Sequence, residues 1–68
     1  MSTTQTFTVT GMTCGHCVAS VTEEVQEISG VQDVAVDLPT GAVTITSAAP
    51  LDESAVKAAV EEAGYQLA

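Results

Sequence analysis

From Thr4 to Thr10 the chain alternates, with Phe7 and Val9 on one side and Thr4, Thr6, Thr8 and Thr10 on the other. A period of two predicts a strand with one buried face. Gly11 to His16 reads as a loop. The period then changes: Val18, Val21, Val25 and Ile28 recur at helical spacing until Gly30 ends the run, which puts Cys17 in the first turn of a helix. Val34, Val36 and Leu38 alternate with Asp33, Ala35 and Asp37. Pro39-Thr40-Gly41 supplies a turn, and Val43 and Ile45 alternate with Thr44 and Thr46, so this segment predicts a hairpin. A second helix opens with Leu51-Asp52-Glu53, takes Asp52 as its expected N-cap, buries Val56, Ala59, Val60 and Ala63, and closes at Gly64. Tyr65 to Leu67 form a short last strand.

This order predicts an α+β fold, the ferredoxin-like βαββαβ sandwich, with a four-stranded antiparallel sheet and two helices on one face. The threonines and aspartates are left to the other face, as an open antiparallel sheet permits. Residues 1–68 are enough for one small domain, which buries only about 60% of its unfolded surface. Right-handed crossovers return the end of the second helix to the loop after the first strand. Glu61, Glu62, Gly64 and Tyr65 are therefore expected beside Cys14 and Cys17, nearly 50 residues away in sequence.

Composition narrows the function. Apolar residues make up 46% of the chain, enough for a packed core, while the net charge is −8 with Lys57 as the lone cationic side chain. Such a surface has nothing to offer phosphates or anionic lipid, so neither nucleic acid nor membrane is an expected partner. No apolar run reaches the length of a membrane span or signal segment, so a cytoplasmic protein without membrane insertion is expected. Thiols stay reduced in that compartment, and two cysteines three positions apart then point to metal binding or redox work rather than a structural disulfide.

Both cysteines and the lone histidine lie in Gly11-Met12-Thr13-Cys14-Gly15-His16-Cys17. The last four residues also suit a thiol-disulfide redox centre, and thioredoxin-like enzymes place theirs between a strand and a helix too. Those enzymes resemble one another in a Trp before the first Cys and a cis-Pro facing the pair. Here Met12-Thr13 precede Cys14, while Pro39 and Pro50 fall in the hairpin turn and before the second helix. The thiols favour soft ions such as Cu(I), and with His16 they make at most three nitrogen or sulfur ligands, one short of a closed structural zinc site. Two thiolates on Cu(I) leave one net negative charge, which helix N-terminal amides near Cys17 stabilise. No Ser/His/Asp set, catalytic acid and base pair or phosphate loop is visible, so a non-enzyme is expected.

The whole stretch from Gly11 to Cys17, followed by Val18 and Val21, resembles the signature of the heavy-metal-associated domain family, and the resemblance extends to Gly30-Val31 and Ala63-Gly64-Tyr65. It implies Cys14 and Cys17 as the ligands of a soft metal. A free-standing member of this length resembles the bacterial copper chaperones, which implies Cu(I) delivery by thiolate exchange to the metal-binding domain of a copper-transporting P-type ATPase or to a copper-responsive regulator. An excised N-terminal domain of such an ATPase, and a mercury or zinc carrier, are the alternatives. Relatives favouring zinc or cadmium resemble one another in an Asp before the first Cys, where this chain has Thr13.

The neighbours of the pair have more ordinary readings. Met12 is expected to fill the core, Thr13 to hydrogen-bond the loop backbone, and His16 to project into solvent. Tyr65 is expected to pack on helix ends and, by resemblance, to cover the metal. Glu61 and Glu62 occupy the last turn of the second helix, where the macrodipole disfavours anions; docking of a basic partner and simple solvation of an acidic surface are the two readings open to them. The metal-free protein is expected to be a monomer, with a copper-bridged homodimer open to it.

Overall fold

The computed structural model of the chain describes residues 2–13 and 15–68, so Cys14 lies outside the described residues. Six elements follow in order: β1 (Thr3–Thr10), α1 (Gly15–Gln26), β2 (Val31–Asp37), β3 (Ala42–Ser47), α2 (Glu53–Glu62) and β4 (Gln66–Leu67). The strands form one sheet in the order β2-β3-β1-β4, and every neighbouring pair is antiparallel. This is the predicted ferredoxin-like sandwich.

The two periods meet in one core. Val9, Val43 and Ile45 from the strands pack with Val21 and Val25 of α1 and Val56 and Val60 of α2. Full burial of each such side chain contributes roughly 1.5–3 kcal/mol. The alternate residues of β1, Thr4, Thr6, Thr8 and Thr10, are exposed on the opposite face. Register places Thr6 across from Thr44, with their hydroxyl oxygens 3.4 Å apart.

Several details differ from the sequence pattern. The first helix begins at Gly15, so Gly15 and His16 belong to α1 rather than to the loop. It ends at Gln26, and Ile28 N–H reaches only the Val25 carbonyl, a tighter turn that leads into Gly30. Strand β2 starts at Val31, earlier than the alternation suggests, because a register shift between Val31 and Asp33 interrupts the period of two. Ser47, which the pattern did not assign to the core, is fully buried at an inward position of β3; its hydroxyl donates to the Ala49 carbonyl at 2.7 Å. That bond offsets the cost of burying a hydroxyl.

Asp52 holds the N-cap position with extended backbone, yet its side chain makes no capping hydrogen bond. The approach to α2 is secured from across the molecule instead. Leu51 N–H donates to Gln5 Oε1 at 2.8 Å, and Gln5 Nε2 donates to the Leu51 carbonyl at 3.3 Å. A side-chain amide on β1 thus satisfies both backbone groups of a residue 46 positions away.

Candidate metal site

The loop between β1 and α1 is short, and its two ends are fixed by the sheet and by the helix. Cys17 is the third residue of α1 and is only 8% exposed. It stands four residues before Val21 and eight before Val25, on the inward stripe of the helix. Gly11, Thr13, Gly15 and His16 around it are exposed. The helix starts early enough at Gly15 to turn Cys17 inward, while these neighbours stay exposed.

Met12 packs against the core as expected. His16 is exposed, and its carbonyl accepts a hydrogen bond from the Ser20 hydroxyl at 3.1 Å. Thr13 departs from expectation. Its hydroxyl oxygen lies 3.8 Å from Cys17 Sγ, so it meets a sulfur rather than loop backbone. Sulfur without a proton can only accept, which makes the hydroxyl the donor whenever Cys17 is a thiolate. Among the described residues no three His, Cys, Asp or Glu side chains converge, so His16 does not join Cys17 and a carboxylate in a closed set.

Tyr65 is set by the end of α2. Tyr65 N–H donates to the Val60 carbonyl at 3.0 Å and Gly64 N–H to the Glu61 carbonyl at 2.9 Å, with Gly64 at φ +96°. This is a Schellman motif, and only glycine enters its left-handed position without strain. The chain turns there so that Tyr65 packs against the core and its ring reaches the loop: a Cβ added at Gly11 would stand 3.4 Å from Tyr65 Cδ1. The return of this segment to the loop is seen for Tyr65 at Gly11, and its expected place beside Cys14 lies outside the described residues.

Glu61 and Glu62 are exposed at the end of α2. Glu62 also acts on α1. Partial burial first, then the charges of Glu27, Glu62 and Glu23, hold the Glu24 carboxyl above its ordinary value. A raised folded-state value means that the native protein binds the proton more tightly than the unfolded chain does. The resulting stability is fully present below the unfolded value and is lost as pH rises through the folded one. Glu24→Gln is therefore expected to raise the urea midpoint at neutral pH and to bring no gain at about pH 4, near the ordinary glutamate value. A gain of equal size at both pH values would refute the electrostatic origin.

Fold and loop together define a small α+β domain that presents a Cys-x-x-Cys sequence where its first strand passes into its first helix. The heavy-metal-associated domain family matches residues 6–66, and the chain belongs to that family. The copper chaperone CopZ of Enterococcus hirae is 43% identical over 67 residues, a match covering 91% of each chain. Copper-transporting ATPase 1 of Rhizobium meliloti is 38% identical over 63 residues; the match covers 93% of this chain but 8% of the ATPase. A solved structure described as CopZ metallochaperone superposes with a TM-score of 0.89 at 31% identity, covering 97% of this chain and all of that one.

Proposed function

We propose that this protein is a cytosolic Cu(I) metallochaperone, with Cys14 and Cys17 as its ligands and a copper-transporting P-type ATPase as its recipient. The observation that carries this reading is the match to a copper chaperone over 91% of both chains. The chemistry agrees with it. Two thiolates would hold Cu(I) as a complex with one net negative charge at the N-terminal end of α1, where the helix dipole favours an anion. The Thr13 hydroxyl is turned to a sulfur, a poor arrangement for supplying a hard oxygen ligand.

Transfer follows from low coordination. A cysteine of the recipient enters as a third ligand before one of the original pair leaves, so copper passes between proteins without being released. No bond of an organic substrate is made or broken, and the protein is not an enzyme. The exposed carboxylates of Glu61 and Glu62 would steer a recipient carrying Lys or Arg around its own cysteine pair, adding more to encounter rate and orientation than to affinity. A copper-responsive regulator is a second recipient of the same chemistry. The match to an ATPase over 93% of this chain supports a second reading, in which this sequence is the metal-binding domain of such a transporter.

Anaerobic titration with Cu(I) against a competing chelator, read by native mass, tests the proposal. One copper per chain, retained against the chelator and passed on to an ATPase metal-binding domain, is the expected result. A metal-bridged dimer would appear as one copper on two chains. Preference for Zn(II) or Hg(II) over Cu(I), or reduction of insulin disulfides well above a free dithiol, would overturn it.

A further inference from the structure

We infer that Thr13 is a positioning residue for Cys17, its hydroxyl holding the Cys17 sulfur toward the loop and thereby setting how firmly the site retains a soft cation. The second half of this statement rests on the Cu(I) reading above; the first half does not.

Side chains on an α-helix lean toward its N-terminus, over the residues three and four positions earlier. Cys17 sits near the start of α1, so the residue one turn back is Thr13, just ahead of the helix. Thr13 Oγ1 lies 3.8 Å from Cys17 Sγ. A cysteine has one side-chain torsion to fix, and staggered wells compete for it. The hydroxyl selects the well that faces the loop. An alternative well would turn the sulfur away from Thr13, and a metal bound there would first have to reorient it.

The hydroxyl also acts on charge. A metal-bound thiolate keeps negative charge on sulfur, and Cys17, at 8% exposure, has little water to stabilise it. An O–H donated to that sulfur replaces the missing water, and hydrogen bonds to charged groups are the stronger kind. The methyl of Thr13 is not needed for either effect. Serine should therefore replace Thr13, and the isosteric Val should not.

The test compares Thr13→Ser, Thr13→Val and the unchanged protein in two measurements. In metal-free protein, the Hα–Hβ scalar couplings of Cys17 report its side-chain torsion by NMR. One torsion is expected in the unchanged protein and in Thr13→Ser, and an average over several in Thr13→Val. In competition with a Cu(I) chelator, Thr13→Val should retain copper about tenfold less well, and Thr13→Ser within a factor of about two of the unchanged protein.

Unchanged couplings in Thr13→Val would overturn the inference. So would averaged couplings with unaltered copper retention, or a Thr13→Ser variant that behaves like Val. Circular dichroism shows whether each variant folds, and Thr13→Ala, which removes the hydroxyl with less bulk, takes the place of Val if that variant does not. Should the unchanged protein hold Cu(I) no better than Cys14→Ser does, the copper reading fails, and the couplings of the metal-free protein still decide the positioning role.

Discussion

Replacing either Cys14 or Cys17 with Ser is expected to abolish tight Cu(I) binding. Soft ions bind thiolate far better than hydroxyl, and a two-ligand site has no reserve when one ligand goes. Structural zinc held by four ligands is bound by about 10–16 kcal/mol, or roughly 2.5–4 kcal/mol per ligand. Loss of one thiolate should therefore weaken binding by on the order of 10²–10³, read under chelator competition. Copper affinity that survives both substitutions would remove the site from these residues. Folding adds a second expectation. Cys17 is packed on the inward stripe of α1 at 8% exposure, so a hydroxyl there should cost roughly 1–3 kcal/mol of stability while leaving the fold intact. Parallel urea denaturation and circular dichroism separate that cost from the loss of metal.

Gly41→Ala should be the most damaging single change among the glycines. Gly41 closes the turn between β2 and β3 with φ +76°, donates its N–H to the Asp37 carbonyl at 2.8 Å and accepts from Val9 N–H at 2.8 Å. A Cβ built there would stand 2.5 Å from the Val9 carbonyl oxygen, closer than any contact of that kind allows, and the obstacle is backbone that cannot swing aside. The positive φ costs about 1–3 kcal/mol for alanine, and forcing the strands apart adds about as much. A chain of this length has roughly 3–10 kcal/mol of stability to lose. The melting temperature should fall by more than about 10 °C. Gly64→Ala is the control, since Gly64 has φ +96° but open space where the Cβ would go. Equal losses at the two positions would show that backbone conformation alone, without the contact to Val9, accounts for the effect.

Neither effect has the same standing in the sequence. The cysteine spacing and its Gly and His filling are visible at once, and so is the Pro39-Thr40-Gly41 turn. The distance from Gly41 to Val9 is not, because it depends on β1 being laid beside β3. The Gln5 amide on Leu51 is hidden for the same reason: nothing in a glutamine on an alternating strand announces a partner 46 residues away. Residue type alone points to Asp52 as N-cap, and Asp52 holds that position while leaving the capping bond unmade.

What the sequence determined by itself is what local period and spacing can carry. The period of two over Thr4 to Thr10 and the helical spacing of Val21 with Val25 and Val56 with Val60 select strand and helix, because only one face of each can be buried. With six elements in that order, the right-handed crossover leaves few ways to assemble them, and Tyr65 is brought to the loop at Gly11. The tertiary structure decided the directions of individual side chains. A helix that starts at Gly15 turns Cys17 inward and sets its sulfur 3.8 Å from the Thr13 hydroxyl. Partial burial, with the charges of Glu27 on its own side of the molecule and of Glu62 on α2, raises the Glu24 carboxyl, and the inward register of β3 buries Ser47. Each of these depends on the phase of an element against its neighbour, and a shift of a single residue, too small to disturb a hydrophobic period, is enough to change what a side chain meets.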